Sequence, residues 1–161
     1  VVEHLLQLLD SEPQLVAPAI DALSNLSLTG DLLSEALVAM RPLLSSASTR
    51  DLPMVLRFLL QTADTATRAT EAVKSIRQHL DISSLIDRDD ESQQQQEQAQ
   101  SGEIFVIEAL KSGIQFKKVI ATAILSSFNA ISTKDEVVAL DIWLLLILHS
   151  VSQYKKHVVT V

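Results

Sequence analysis

Hydrophobic residues recur along most of this chain at intervals of three and four, the spacing that places side chains on one face of an α-helix. Strict alternation of apolar and polar residues, which a half-buried strand requires, is absent. The spacing therefore predicts an all-α fold. Its helices are predicted at residues 2–9, 13–27, 31–46, 51–64, 65–80, 103–117, 119–131 and 134–157.

Composition supports the same fold class. Hydrophobic residues make up 47% of the 161 residues but aromatic residues only 4%, so the core has to be built from aliphatic side chains. The chain has 3 glycines and 4 prolines, which leaves few residues for tight turns and favours long helices. A chain of this length is long enough to bury a sizeable core.

The first half of the chain contains an internal repeat. "LLDSEPQLVAP" (8–18) and "LLSSASTRDLP" (43–53) match at an offset of 35 residues. A single pair of helices cannot bury both sides of its apolar stripe, whereas stacked copies form one continuous core. The repeat therefore predicts an α-solenoid of the HEAT or armadillo kind. The matching positions are Leu8 with Leu43, Leu9 with Leu44, Pro18 with Pro53, Ile20 with Val55 and Leu23 with Phe58.

The pattern divides the chain into three parts. Residues 1–82 and 102–161 are predicted to form helical repeats, separated by an acidic, glutamine-rich segment at 83–101. That segment has almost no residues to bury, so we predict a disordered insertion. More than half of the chain's net charge of −7 lies there. An acidic chain of this kind is a poor binder of nucleic acid by itself.

The chain is expected to be one part of a longer solenoid, because it begins without an initiator Met and without a signal peptide. A solenoid that is cut at its ends leaves apolar faces uncovered. The isolated chain is therefore expected to associate with itself as its concentration rises.

Composition also excludes several functional classes. The chain has no cysteine, which excludes disulfides, thiolate metal sites and a cysteine nucleophile, and fits the reducing environment of the nucleus or cytosol. The 4 histidines form no close pair, and the glycines form no phosphate-binding loop. The most apolar run, at 137–151, is too short to span a membrane. We therefore expect no enzyme activity, no cofactor or metal, no small-molecule substrate and no membrane partner.

A small basic cluster, "YKKH" at 154–157, lies near the C-terminus. Lys155 and Lys156 are favourable in the last turn of a helix, because their charges complement the negative end of its dipole. Alternatively, the two lysines contact the phosphate backbone of DNA within a larger assembly. Both interpretations stay open, because two lysines contribute little unless neighbouring segments add more.

Two adjacent lysines interrupt the apolar segment "SGIQFKKVIATAIL" at 112–125. Continuing the preceding apolar face from Ile114 by three or four residues reaches Lys117 or Lys118, so a helix end or kink between 116 and 119 is predicted. The lysines then complement the dipole of a final turn, or Lys118 lies at the edge of an apolar face that a partner covers. The preceding face consists of Ile104, Ile107, Leu110 and Ile114.

Four segments occur in a specific order: "PQLVAPAIDALSNLSL", "DLPMVLRFLL", "IFVIEALKSGIQFKKVIATAI" and "YKKHV". In residues and spacing they resemble the Fanconi anaemia group D2 family, across residues 1–82 and 102–157. The resemblance implies an α-solenoid that pairs with the related group I protein. It also implies ubiquitylation of one lysine, by an E2 conjugating enzyme and the Fanconi E3 ligase subunit, during repair of DNA interstrand crosslinks. The modified pair is then expected to clamp DNA in the nucleus.

The resemblance also implies which lysine receives ubiquitin. The family's acceptor follows a short hydrophobic helix and closes an aromatic–acid–lysine triplet, which Phe116, Lys117 and Lys118 match apart from the acid. Lys118 is therefore the implied acceptor, with Lys117 and Lys111 as alternatives. Ile114, Phe116 and Lys117 are implied to lie in the interface with the group I protein.

A physical argument supports an acceptor lysine beside apolar residues. The amine must lose its proton before it attacks a thioester, and burial against Ile114 together with the neighbouring Lys117 would disfavour the charged ammonium of Lys118. The competing hypothesis is a constitutive HEAT-type scaffold that binds peptides along a groove and has no regulated lysine. The repeats alone support both hypotheses.

Overall fold

The computed structural model describes residues 1–83, 85 and 102–159. Within these ranges the chain forms helices and no strand, which confirms the predicted all-α fold class. The predicted insertion at 83–101 lies, apart from residues 83 and 85, outside the described residues. The helices are α1 (Val2–Ser11), α2 (Val16–Ser24), α3 (Gly30–Ser46), α4 (Leu52–Gln61), α5 (Ala66–His79), α6 (Gly102–Phe116), α7 (Lys118–Asn129), α8 (Ala139–Ser150) and α9 (Lys155–Val158).

The helices pack in two layers that follow the order of the chain. Helices α1, α3, α5 and α7 contact one another in succession in one layer, and α2, α4, α6 and α8 do so in the other. Contacts of α1 with α2, α3 with α4 and α6 with α7 join the layers. The buried aliphatic side chains form one core that extends from α1 to α8. Residues 1–83 and 102–159 therefore share that core.

The internal repeat corresponds to two helix–loop–helix units, α1–α2 and α3–α4. Equivalent positions are buried in both units: Ile20 and Val55 are at most 1% exposed, and Leu23 and Phe58 at most 3%. Equivalent helices of the two units are neighbours, since α1 packs on α3 and α2 packs on α4. The repeated apolar positions thus contribute to the same core.

Pro18 and Pro42 lie beyond the first turn of predicted helices, and Pro18 lies next to a break. Pro18 is in the first turn of α2, where a backbone N–H has no intrahelical partner to lose. A 3₁₀ turn at Pro13–Leu15 precedes α2, so the predicted helix 13–27 is two elements. At Pro42, in contrast, α3 continues without interruption.

The C-terminal segment 134–157, predicted as one helix, consists of three elements. A 3₁₀ turn at Lys134–Glu136 is followed by α8 and then by the short α9. Val138 is extended (φ −108°, ψ 155°), and its N–H donates to the carboxylate of Asp141 at 3.0 Å. This side-chain cap satisfies a backbone donor at the start of α8 and favours the helix beginning there. Val151 is extended as well (φ −90°, ψ 110°) and ends α8.

A buried ion pair connects α5 to the start of α8. Arg77 donates from Nε and Nη2 to the two carboxylate oxygens of Asp141, at 2.7 and 2.8 Å. Nη2 also donates to the backbone carbonyl of Glu136 at 3.1 Å. The hydrogen bond with Asp141, followed by the charges of Asp141 and Glu136, raises the pKa of Arg77 above its ordinary value despite partial desolvation. The guanidinium therefore keeps its charge at physiological pH.

Helices α4 and α6 approach closely at Gly113. A Cβ atom at this position would lie 2.5 Å from Cδ1 and 3.0 Å from Cβ of Leu60, closer than side-chain atoms pack. Leu60 is itself only 3% exposed and has little room to move. The absence of a side chain at residue 113 thus allows α6 to lie directly against α4.

Replacing Gly113 with alanine is expected to destabilise the chain by about 1–2 kcal/mol. The reason is that overpacking costs about 1–3 kcal/mol, whereas alanine gains at most about 1 kcal/mol in helix propensity. Urea denaturation followed by circular dichroism measures the change. Ser112→Ala, at an exposed position of the same helix, is the control and should change stability by less than about 0.5 kcal/mol. A Gly113→Ala variant as stable as the wild type would contradict the close approach.

The outer face of α8 is apolar, and no residue that the structure describes covers it. Ile142 and Leu146, one helical turn apart, are 61% and 63% exposed. Exposed aliphatic surface favours association because contact removes it from water. Sedimentation analysis of the isolated chain should therefore show self-association that increases with concentration. A strictly monomeric profile at high concentration would refute this expectation.

Candidate functional site

The two adjacent lysines lie at the junction between α6 and α7. Helix α6 ends at Phe116, Lys117 is extended (φ −124°, ψ 100°), and Lys118 is the first residue of α7. The N–H of Lys117 donates to the carbonyl of Gly113 at 3.2 Å, and its carbonyl accepts from the N–H of Ile120 at 3.0 Å. A single residue therefore connects the two helices while its backbone stays hydrogen-bonded.

The break between α6 and α7 follows from the positions of the buried residues. The buried face of α6 ends at Ile114, and that of α7 begins at Ile120. In an unbroken helix Ile120 would point about 120° away from the face of Ile114. The extended Lys117 reorients the chain so that both faces reach the same core. The predicted helix end between residues 116 and 119 is confirmed.

Neither lysine lies in a final turn of α6. The last turn of that helix contains no basic residue, because the helix ends one residue before Lys117. Lys118 lies in the first turn of α7, beside the positive end of that helix dipole. The interpretation in which the two lysines complement the C-terminal dipole of their own helix is therefore wrong.

Lys117 is held by two acceptors at the end of α4. Its ammonium forms an ion pair with the carboxylate of Asp64, with 2.5 Å between Nζ and Oδ1, and also donates to the backbone carbonyl of Gln61. Gln61 is the last residue of α4, so the ammonium also meets the negative end of that helix dipole. The positive charge of Lys117 is therefore paired with acceptors of the chain itself.

Lys118 faces a different groove from Lys117. It lines a groove of about 370 Å³ between α5 and α7, whereas Phe116 and Lys117 line a groove of about 150 Å³ between α4 and α6. Lys118 is exposed, and its ammonium has no hydrogen bond or ion pair with any residue that the structure describes. The groove of Lys118 is lined by Ala66, Thr70, Val119, Thr122, Ala123 and Ser126.

The predicted interface residues lie at different depths. Ile114 is 1% exposed and packs in the core, so its side chain cannot contact a partner in this conformation. The expected burial of Lys118 against Ile114 is also wrong, because the break between the helices leaves Lys118 exposed and Ile114 inside. Phe116 is 79% exposed, an unusual position for a phenylalanine. Its predicted contact with a partner stays a prediction.

The remaining candidate lysines are exposed. Lys111 lies within α6, and Lys155 and Lys156 belong to the four-residue α9. Nε2 of Gln153 donates to the carbonyl of Gln115 at 3.3 Å, so the segment before α9 lies beside the last turn of α6. The structure thus places the start of α9 close in space to the C-terminal end of α6. The predicted phosphate contacts stay untested.

Two acidic residues that shape this region were not among the predicted site residues. Asp64 contacts Lys117 across 53 residues, and nothing in the local sequence indicates that pairing. Asp141 carries a signal that could have identified it, since a carboxylate inside the most apolar run of the chain needs a partner or a cap. Its partner Arg77 is 64 residues away and cannot be identified from spacing.

In the described ranges, no group of three or more histidine or carboxylate side chains is arranged to hold a metal ion. None of the helices in those ranges combines the length and the apolarity needed to cross a membrane.

Comparison with known proteins identifies relatives of the whole chain. The family described as "Fanconi anaemia protein FancD2 nuclease" matches residues 1–161. The chain is 30% identical to the Fanconi anemia group D2 protein of Gallus gallus over 93% of its own length. It is 30% identical to the group D2 protein homolog of Mus musculus and 29% identical to that of Rattus norvegicus, each over 97% of its length. The chain spans 11–12% of the length of these curated relatives.

Proposed function

This chain belongs to the Fanconi anaemia FancD2 family, and from that membership we propose that it presents the ubiquitin acceptor of a DNA interstrand crosslink repair protein. The chain is a segment of a Fanconi anaemia pathway protein, with the family match extending over its whole length. Lys118 is the proposed acceptor. The proposed partners are the group I protein, ubiquitin with its conjugating enzyme, and the Fanconi ligase subunit.

The observation that carries this proposal is the contrast between two adjacent ammonium groups. Lys117 is paired with Asp64, whereas Lys118 is exposed and makes no ion pair or hydrogen bond with the described part of the chain. An acceptor amine has to be reached by a thioester and has to lose a proton. The thioester can reach an exposed amine that has no partner directly, whereas an amine held by a carboxylate first has to leave that carboxylate. The contrast therefore favours Lys118 over Lys117.

The proposed reaction forms an isopeptide bond. The neutral Nζ of Lys118 attacks the carbonyl carbon of the thioester that links the C-terminus of ubiquitin to a cysteine of the conjugating enzyme. The C–N bond forms, the C–S bond breaks, the cysteine leaves as a thiolate, and the proton lost by the amine passes to solvent. The ligase subunit brings this thioester to the junction between α6 and α7.

Phe116 supports a partner surface next to the proposed acceptor. Complete burial of a phenylalanine side chain stabilises a contact by roughly 1.5–3 kcal/mol, and Phe116 is 79% exposed. The group I protein is proposed to cover Phe116 and the exposed part of Lys117. The modified pair is then proposed to clamp DNA in the nucleus. Lys155 and Lys156 are proposed as phosphate contacts in that complex.

The two-layer packing supports the proposed α-solenoid. Helices α1, α3, α5 and α7 succeed one another in one layer and α2, α4, α6 and α8 in the other, as stacked helical pairs would. The repeated buried positions of α1–α2 and α3–α4 agree with that arrangement. In a solenoid of this kind, the junctions between paired helices lie along its edge. The two lysines lie at one such junction.

The proposed part of this segment in the reaction is that of a protein substrate. The conjugating enzyme and the ligase subunit catalyse the transfer, and the segment supplies the nucleophilic amine. The segment itself is proposed to be non-enzymatic.

Reconstitution of the full-length protein with ubiquitin, its conjugating enzyme, the ligase subunit and the group I protein tests the proposed function. Intact-mass measurement should show the addition of one ubiquitin per protein. The alternative function is a constitutive HEAT-type scaffold that binds peptides along a groove. That alternative predicts no added ubiquitin, or ubiquitin scattered over several lysines, and this result would refute the proposal.

A further inference from the structure

Asp64 is placed to influence which of the two adjacent lysines reacts. We propose that Asp64 selects the acceptor, because it holds Lys117 and thereby leaves Lys118 as the accessible amine. This inference rests on the proposed function, since it concerns the choice between two lysines in that reaction. Asp64 is a positioning residue, which acts through Lys117 rather than by contact with ubiquitin.

Adjacent lysines create a choice that their spacing alone does not resolve. The Cα atoms of neighbouring residues are about 3.8 Å apart, and a lysine side chain is long and flexible enough to cover a greater distance. A thioester that is brought to Lys118 is therefore within reach of Lys117 as well, unless Lys117 is restrained. The ion pair with Asp64 supplies such a restraint.

Two acceptors restrain Lys117, and the backbone segments that carry them are well packed. The carboxylate of Asp64 is 2.5 Å from Nζ of Lys117, and the second acceptor is the last carbonyl of α4. A carbonyl at the end of a helix has no intrahelical partner and lies at the negative end of the dipole. Leu60, which precedes Gln61, and Ala63, which precedes Asp64, are 3% and 1% exposed. The acceptors are therefore attached to the core.

Lys117 also has to break these contacts before it can react. Both acceptors hold the ammonium through its N–H groups, and an ammonium has no lone pair with which to attack a thioester. To react, Lys117 has to leave both acceptors and lose a proton to solvent. Its nitrogen then forms the C–N bond while the thiolate of the conjugating enzyme leaves. Lys118 forms the same C–N bond without first giving up a hydrogen bond or an ion pair with any described residue.

The backbone of the junction separates the two side chains further. Because Lys117 is extended between two helices, it lines the groove between α4 and α6, whereas Lys118 lines the groove between α5 and α7. Asp64 lies on the connection between α4 and α5. Loss of its carboxylate would free Lys117 to leave the groove between α4 and α6.

The expected selection is several-fold and not absolute. Asp64 is 70% exposed, and exposed ion pairs contribute little because water and salt screen them. The carbonyl of Gln61 also remains as an acceptor when Asp64 is replaced. We therefore expect loss of the Asp64 carboxylate to raise the reactivity of Lys117 about 3- to 10-fold.

Asp64→Ala in the full-length protein tests the restraint without any ubiquitin enzyme. Acetylation with an N-hydroxysuccinimide ester, followed by peptide mass spectrometry, reports the rate at each lysine. Lys117 should react about 3- to 10-fold faster in this variant. Lys118 should not change, and Lys111 serves as an internal reference. Asp21→Ala, which removes an exposed carboxylate of α2, is the matched control and should change none of these rates.

The same variants in the reconstituted ubiquitin reaction test the selection itself. Asp64→Ala should raise the share of ubiquitin on Lys117 about 3- to 10-fold. In a Lys118→Arg background it should restore part of the conjugation, at Lys117. Unchanged acetylation of Lys117, or an unchanged distribution of ubiquitin, overturns the inference and leaves the assignment of Lys118 intact. Absence of ubiquitin from both lysines overturns the proposed function and this inference with it.

Discussion

Replacing Lys118 with arginine is expected to lower ubiquitin attachment to the full-length protein about 3- to 10-fold, with the remaining conjugate on Lys117. Arginine keeps the positive charge and a similar length, so the packing of α7 and its groove should be preserved. Its guanidinium stays protonated and cannot supply the lone pair that attacks the thioester. Intact-mass quantification of the conjugate, formed with the group I protein present, measures the loss.

Lys111→Arg is the matched control for this experiment, because Lys111 is also exposed and lies on the preceding helix. Its conjugation rate should equal that of the wild type. Conjugation at the wild-type rate in the Lys118→Arg variant would show that Lys118 is not the acceptor. A loss confined to Lys111→Arg would instead move the acceptor to Lys111.

Replacing Arg77 with alanine is expected to destabilise the chain by about 3–5 kcal/mol, because it leaves a buried charge without its partner. Asp141, which carries this charge, is only 2% exposed. Its remaining hydrogen bond, from the N–H of Val138 at 3.0 Å, cannot replace two charge-assisted bonds from a guanidinium. Urea denaturation followed by circular dichroism gives the free energy of unfolding.

The two partners of this ion pair should not respond equally. Asp141→Asn removes the charge at the buried position, and the side chain of Arg77, which is 17% exposed, can reach water. Its loss of stability should therefore be smaller than that of Arg77→Ala. Lys74→Ala, at an exposed position of the same helix, should change stability by less than about 0.5 kcal/mol. If Arg77→Ala is as mild as Lys74→Ala, the ion pair does not stabilise the fold.

The helices could be predicted because they depend on local periodicity. Helix α4 was predicted at 51–64 and observed at Leu52–Gln61, and α3 was predicted to within one residue of its observed start. The repeated positions, such as Ile20 and Val55, proved to be buried because an apolar stripe has to be covered. Spacing alone was sufficient for these features.

The boundaries that could not be predicted depend on side-chain contacts. Nothing in the periodicity of 134–157 distinguishes one long helix from three elements. The break before α8 coincides with the hydrogen bond between Val138 and Asp141, and Asp141 in turn is held by Arg77 from α5. Contacts between residues so distant along the chain leave no periodic signal.

The candidate site could be predicted in part. The turn at Lys117 follows from a mismatch between two apolar faces, which the sequence displays. The sequence does not reveal whether an apolar residue is covered by its own chain or by a partner, and Ile114 is covered by its own chain. Nor does it reveal that Asp64 holds Lys117, because the pairing arises only when α4 and α6 pack together.

Peptide mapping of the modified position in the wild-type full-length protein tests most directly whether Lys118 is the amine that this fold presents. The protein is conjugated in the reconstituted reaction and digested, and the lysine that carries the ubiquitin remnant is identified by mass spectrometry. We predict that the remnant on Lys118 exceeds that on every other lysine. A remnant mainly on Lys117 or Lys111, or one spread over several lysines, would contradict the central claim.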